Sequence, residues 1–360
     1  MSSFIKIKPQ ILYAPMLATF GGGSVRGFGR GIGGGPLTVD QVFSTDIWTG
    51  DGASETITSG LDMTEGGLVW IKGRNVSGYN HTLYDTERSG TLISDTNQPA
   101  TGYASEIASY NNNGYTVSSG AAYNNFNNTD YCAWSWRKAP KFFDIQVWDG
   151  NGVAGREISH NLDCEVGMIV IKLLNVSARD WVVYHRGADS SSPENYFVRL
   201  HTAGARTNDN GAEKVFNNVA PTSTKFTLGN NDKVNGNYNN LGWKYVAYLF
   251  AHETGDDARI SCGSYTGNGN STGPAINLGF QPQFILYKNA TSTDNWEILD
   301  SVRGVTTNGN DRVLRPDIDN VELITQRANF LSNGWQPKDS GGAINSSGDT
   351  YIYMAIRAEG

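Results

Sequence analysis

Five short patterns recur in the same order three times along this 360-residue chain, and this constrains the fold more than any single motif. Each copy opens with an aromatic and a glycine turn: Trp48-Thr-Gly-Asp-Gly52, Trp148-Asp-Gly-Asn-Gly152 and Tyr265-Thr-Gly-Asn-Gly269. An apolar run ending in lysine follows: GLVWIKGRN (67–75), GMIVIKLLN (167–175) and QFILYKNAT (283–291). Next come HTLYDTERSG (81–90), DWVVYHRGAD (180–189) and NWEILDSVRG (295–304), then GYTV (114–117), KFTL (225–228) and GWQP (334–337). Each copy closes on an aromatic-rich run: DYCAWSWRKA (130–139), WKYVAYLFAHE (243–253) and TYIYMAIRAE (350–359). The recurring lysines, Lys72, Lys172 and Lys288, stand about a domain length apart. The order points to three tandem units at 42–139, 140–253 and 254–360.

Each unit reads as β-structure. The apolar runs are short, turn signals come every ~8–12 residues, and alternation has period two. In the last run Ile352, Met354 and Ile356 face one way while Tyr351, Tyr353, Ala355 and Arg357 face the other. No segment carries a sustained helical stripe with caps; 321–330 suits one short helix or a strand. The 43 glycines and abundant asparagine serve turns, and charged residues make up only 18% against roughly 25% in an average domain. The expected fold class is all-β: three tandem, diverged β-sandwich domains of jelly-roll or lectin-like type, preferred to one large barrel.

The first 41 residues differ in kind. ILYAPMLATF leads into GGGSVRGFGRGIGGGP, where glycine makes independent folding costly. Tyr13, Met16, Leu17, Phe20 and Phe28, with Arg26 and Arg30, are the expected contacts of an extended arm that lies along another subunit. Gly27, Gly29, Gly31 and Gly33 have the spacing of a phosphate cradle but lack the strand before and helix after that such a cradle requires. A secretory leader and a membrane-spanning run are not expected.

The net charge of −7, without a basic aromatic stripe, argues against nucleic acid as partner. Cys132, Cys164 and Cys262 fit neither a disulfide framework nor a zinc site, and Cys132 reads as a small buried apolar residue. Among the histidines, His81 and Asp85 can face each other along a strand, which reads as a surface polar pair. Asp85 with Glu87, and Glu297 with Asp300, raise the question of a glycosidase pair. Asp85 and Asp300 stand three residues before Arg88 and Arg303, which favours structural Asp–Arg pairs instead. The turn from Thr49 to Ser54 reads as an Asx turn rather than a calcium loop. The asparagine-rich stretches 123–130 and 230–240 are candidate sugar contacts. No cofactor and no metal are expected.

The YD–RG segments, the VWIK strand and the closing YxAWxW strand resemble a repeated domain of virion proteins from marine and cyanobacterial tailed phages, of tail-fibre or tail-associated type. The glycine-rich leader is similar to N-termini of such proteins. The second copy departs most, with YHRGAD in place of the acidic YD. The resemblance implies a non-enzymatic virion structural protein, tail-fibre or baseplate-associated. It would be made in the host cytoplasm, held to other virion proteins by its arm, homo-oligomeric with a trimer favoured, and in contact with host surface polysaccharide. A capsid decoration protein and a glycan-degrading tail enzyme are the alternatives.

Overall fold

In a computed structural model the described residues are 37–101, 106–119, 123–209, 214–237, 242–305 and 310–359. The arm contacts named above, Tyr13 to Arg30, lie outside them. Among the described residues every regular element is a strand or a 3-10 turn, and every strand pairing is antiparallel. The protein is all-β. The stretch 321–330 supplies the strands Leu323–Thr325 and Ala328–Leu331 and no helix.

The larger sheet of each repeat has one plan. In the first repeat the opening strand Phe43–Thr49 lies beside the closing strand Asp130–Arg137, then the central strand Gly67–Gly73, then Thr82–Asp85 and Leu92–Ile93. In the second the order is Phe143–Asp149, Lys244–Ala251, Val166–Leu173, Trp181–His185, Tyr196–Arg199 and Thr207–Asn208. In the third it is Ile260–Thr266, Thr350–Arg357, Pro282–Asn289 and Glu297–Asp300. The register repeats as well: Lys72 lies opposite Cys132, Lys172 opposite Val246 and Lys288 opposite Ile352, each partner the third residue of its closing strand.

A smaller sheet covers one face of each large one. Glu55–Ile57, Gly114–Val117 and Ile107–Asn111 do so in the first repeat, Arg156–Ser159 and Lys225–Leu228 in the second, and Ile276–Asn277, Gly334–Pro337 and Ala328–Leu331 in the third. Alternation then decides what each side chain meets. Val69, Ile71, Tyr131 and Ala133 pack with Ile57, Tyr115 and Val117. Ile285, Tyr287, Tyr353 and Ala355 pack with Ile276 and Trp335.

The opposite faces are buried too, against one another. Residues 37–360 form one compact unit, and a single apolar cluster runs through all three repeats. At its centre the Trp136 ring meets Phe250 of the second repeat and Phe284 of the third, both edge-on at 5.7 Å. The sequence suggests three units with separate cores; the first and third repeats keep one each beneath their small sheets, and a further shared one joins all three, because each central and closing strand is apolar on both faces. Of the closing run, Ile352, Met354 and Ile356 enter this shared core while Tyr353 and Ala355 face the third repeat's own small sheet.

Candidate functional site

Polar side chains gather at two places in every repeat: the seams between repeats and the opening turn. At the seams, Arg88 Nε lies 2.8 Å from Asp85 Oδ2, and Arg303 Nε lies 2.5 Å from Asp300 Oδ2. Each carboxylate also takes a hydrogen bond from the closing strand of another repeat: Tyr248 Oη donates to Asp85 at 2.7 Å, and Trp134 Nε1 donates to Asp300 at 2.9 Å. Burial raises the Asp85 pKa, opposed by Arg88 and the Tyr248 hydroxyl. The second repeat puts His185 in this place. Its Nε2–H donates to the Tyr353 carbonyl at 2.9 Å while Nδ1 accepts from the Gly187 N–H at 3.0 Å, which fixes the tautomer. The three contacts run first to second, second to third and third to first, so the ring of repeats closes.

Backbone bonds run around the same ring. The Ala100, Arg206 and Glu322 N–H groups donate to the carbonyls of Leu174, Ala290 and Arg74, each at 2.8 Å. The buried lysines add a third set. Lys72 Nζ reaches the Asp319 carbonyl at 3.4 Å, Lys172 the Asn97 carbonyl at 3.1 Å and Lys288 the Ala203 carbonyl at 3.1 Å, each across a seam. Burial pulls all three lysine pKa values down to about 8, opposed by nearby carboxylates: Asp95, Asp319 and Glu322 for Lys72, Asp180 for Lys172, and Asp317 and Asp294 for Lys288. Between the first and third repeats, Glu322 is clasped by Arg74, Arg303 and Arg312 at 2.9, 3.0 and 3.3 Å.

The opening turn is built alike three times. Asp51, Asn151 and Asn268 each accept from the N–H two residues on, at 2.8, 3.0 and 3.0 Å, which is an Asx turn. A buried asparagine from the loop before the closing strand pins it. Asn235 Nδ2 donates to the Val153 carbonyl at 2.9 Å, Asn345 to that of Asn270 at 2.7 Å, and Asn125 to that of Ala53. The residue after each asparagine gives its N–H to a closing-strand tyrosine: Phe126 to Tyr131, Gly236 to Tyr245 and Ser346 to Tyr351, at 2.9, 2.8 and 2.9 Å. The opening aromatic stacks on that tyrosine: Trp48 on Tyr131, Trp148 on Tyr245, Tyr265 on Tyr351. Gly50, Gly150 and Gly267 lie so close under the loop that a Cβ there would collide with the carbonyl of Phe126, Gly236 or Ser346. The glycine two residues later holds a positive φ of 76°, 68° or 69°.

This geometry gives the sequence candidates their places. Glu297 and Asp300 are both fully buried, and Glu297 is held by Arg315 at 3.1 Å and Arg327 at 2.7 Å. Asp85 is buried while Glu87 is exposed and paired with Lys138 at 2.7 Å. None of the buried three is placed where a polysaccharide reaches it. His81 and Asp85 do not form a surface pair. His81 is wholly buried, accepts from Trp70 Nε1 at 3.2 Å and stacks on Trp134, because it leads directly into Thr82–Asp85, a strand inside the sheet rather than at a rim. The asparagines at the heart of the two asparagine-rich loops, Asn125 and Asn235, are buried pins and are not offered to a sugar. Among the described residues the cysteines are free, Cys132 and Cys262 buried, and no cluster of metal-ligating side chains is present. Among them, too, no helix is long and apolar enough to cross a membrane. The sequence marks the seam lysines only as recurring residues and the stretches of Asn125 and Asn235 only as sugar contacts; the signal for their joining and pinning places was recurrence at a fixed place rather than a chemical pattern.

These features define a class: an all-β protein in which two-layered sheets recur around a common core, its polar chemistry concentrated at the joints. The chain belongs to the family described as Domain of unknown function (DUF7483), whose model matches residues 39–359. No curated protein matches it.

Proposed function

We propose that this protein is a structural component of a bacteriophage particle, tail-fibre or baseplate-associated, attached through the glycine-rich segment that precedes the folded unit. On this reading 42–139, 140–253 and 254–360 are copies of one ancestral unit, and the protein has no catalytic role. One observation carries the reading: two of the four carboxylates that would have served catalysis, Asp85 and Asp300, are spent on joints between repeats. Asp85 and Asp300 each bind an arginine of their own repeat and an aromatic donor of another. The motif order and the leader support the phage assignment by resemblance. Assembly of the chain with copies of itself, a trimer favoured, belongs to the same reading.

Mass spectrometry and cryo-EM of purified particles test this. The protein is expected in the particle, with density for the leader against a neighbouring subunit; its absence from purified particles rules the reading out. Deleting residues 1–35 is expected to leave circular dichroism unchanged and to abolish incorporation.

A further inference from the structure

The threefold recurrence acts as an internal control, since it separates what the fold needs from what one repeat has added. At the opening turn the fold needs the asparagine, the tyrosine and the close glycine, which all three repeats have. It does not need the residue after the asparagine to be large: that place is Gly236 in the second repeat and Ser346 in the third. In the first it is Phe126, left 50% exposed.

Two further rings are added beside it. Tyr79 lies 6.2 Å, centroid to centroid, from both Phe126 and Tyr123. The counterpart of Tyr123, two residues before the pinning asparagine, is Lys233 or Ala343. That of Tyr79, one residue after a positive-φ turn residue (Gly78, Ala178), is Arg179 in the second repeat. The central strand makes room for the addition. Tyr79 packs over Gly73, its Cβ 3.2 Å from where a glycine Cβ would stand, whereas the second and third repeats have Leu173 and Asn289 there. A half-exposed phenyl ring beside two tyrosines, with a glycine in the strand beneath, is thus an addition of the first repeat that the shared turn does not require.

We propose that Tyr79, Tyr123 and Phe126 form a carbohydrate platform that takes the apolar face of a neutral sugar ring. The proposal rests on the phage-structural reading and gives that protein a surface for host polysaccharide. The residues flanking the rings, Ser77, Gly78, Asn80, Asn127 and Asn128, carry no charge, and Ser77, Asn127 and Asn128 are exposed. Neutral amides and hydroxyls match sugar hydroxyls, while a phosphate or an anionic membrane would call for cations at this rim. Three rings, two of them half-buried, fall far short of the roughly 800 Å² per side of a stable protein interface. The two tyrosine–ring contacts hold the platform in place before any ligand arrives, which limits the ordering cost of binding.

Saturation-transfer NMR of the full chain against mannan, dextran and galactan, each intact and after periodate oxidation, tests this. Transfer is expected to at least one intact polymer and not to its oxidised form. Phe126→Gly, which copies the second repeat, is expected to weaken binding about tenfold, as loss of one aromatic anchor does. Phe126→Tyr is expected to keep it, and both should melt with wild type. If Phe126→Gly lowers the melting temperature, Tyr123→Lys, again copied from the second repeat, serves in its place. No transfer to any intact polymer, equal transfer to oxidised polymer, or undiminished binding by the variants overturns the proposal. Detection in purified particles is independent of these outcomes: a particle protein that binds no sugar sinks the platform alone, and a sugar binder absent from particles sinks the phage reading alone.

Discussion

The hydroxyl of Tyr248, on the closing strand of the second repeat, donates to the Asp85 carboxylate of the first at 2.7 Å, and Arg88 completes the pair. A buried carboxylate of this kind is stable only with its partners, so removing one is costly. Tyr248→Phe is expected to lower unfolding stability by about 1.5–3 kcal/mol, the range for hydrogen bonds to charged groups. Urea denaturation of wild type and variant measures this; an unchanged midpoint would refute a joint role for the pair.

The second repeat offers the complementary experiment. His185 sits where the others have aspartate, and Ala188 where they have arginine. His185→Asp alone places a carboxylate against the Tyr353 carbonyl without the arginine three residues on that the other repeats have, and is expected to cost about 3–5 kcal/mol. Adding Ala188→Arg should recover part of that. A double variant no more stable than the single would show that the three places are not interchangeable.

A shared core predicts that the repeats do not stand alone. Residues 140–253 expressed by themselves would expose Met168, Val170 and Phe250, which are buried within the whole. That fragment is expected to be aggregated or molten, while 37–360 unfolds in one transition. Near-ultraviolet circular dichroism of the fragment distinguishes the cases. Trp136→Ala in the whole chain should cost about 3–5 kcal/mol, as removal of a large buried ring does.

At the turns, Gly150→Ala and Gly267→Ala are expected to prevent normal folding, because the new methyl group meets a backbone carbonyl that cannot rotate away. Gly242→Ala and Gly348→Ala have positive φ but open space, and should cost only about 1 kcal/mol. Thermal melts of the four variants rank them.

Buried carboxyls and the seam lysines should make opposed contributions to the pH dependence of stability. Burial raises the Asp95 and Asp317 pKa values from 3.8 to about 7, so the folded state holds protons that the unfolded state has lost; their contribution is full below 3.8 and disappears as pH rises through 7. The seam lysines do the reverse. Their pKa values fall from 10.5 to about 8, so the stability they contribute at high pH is lost as pH falls through 8. Across urea midpoints from pH 4.5 to 9.5, Asp317→Asn should therefore lose less stability than wild type between 4.5 and 7. A difference between variant and wild type that does not change with pH would contradict the assignment.

The sequence by itself determined the strands, their order and their threefold recurrence, because period-two alternation and glycine–asparagine turns are local properties of the chain. The spacing of Asp85 from Arg88 and of Asp300 from Arg303 was legible for the same reason: three residues apart at a strand end, they need only a turn to meet. Only the tertiary structure decided that Trp136, Phe250 and Phe284 share one core, that Lys72, Lys172 and Lys288 cross the seams, and that Asn125 is a pin while Phe126 beside it is exposed. A strand that is apolar on both faces tells that both will be covered, but not by what. The covering surface is supplied by residues a hundred positions away, and its identity depends on how three sheets pack rather than on any pattern within one of them.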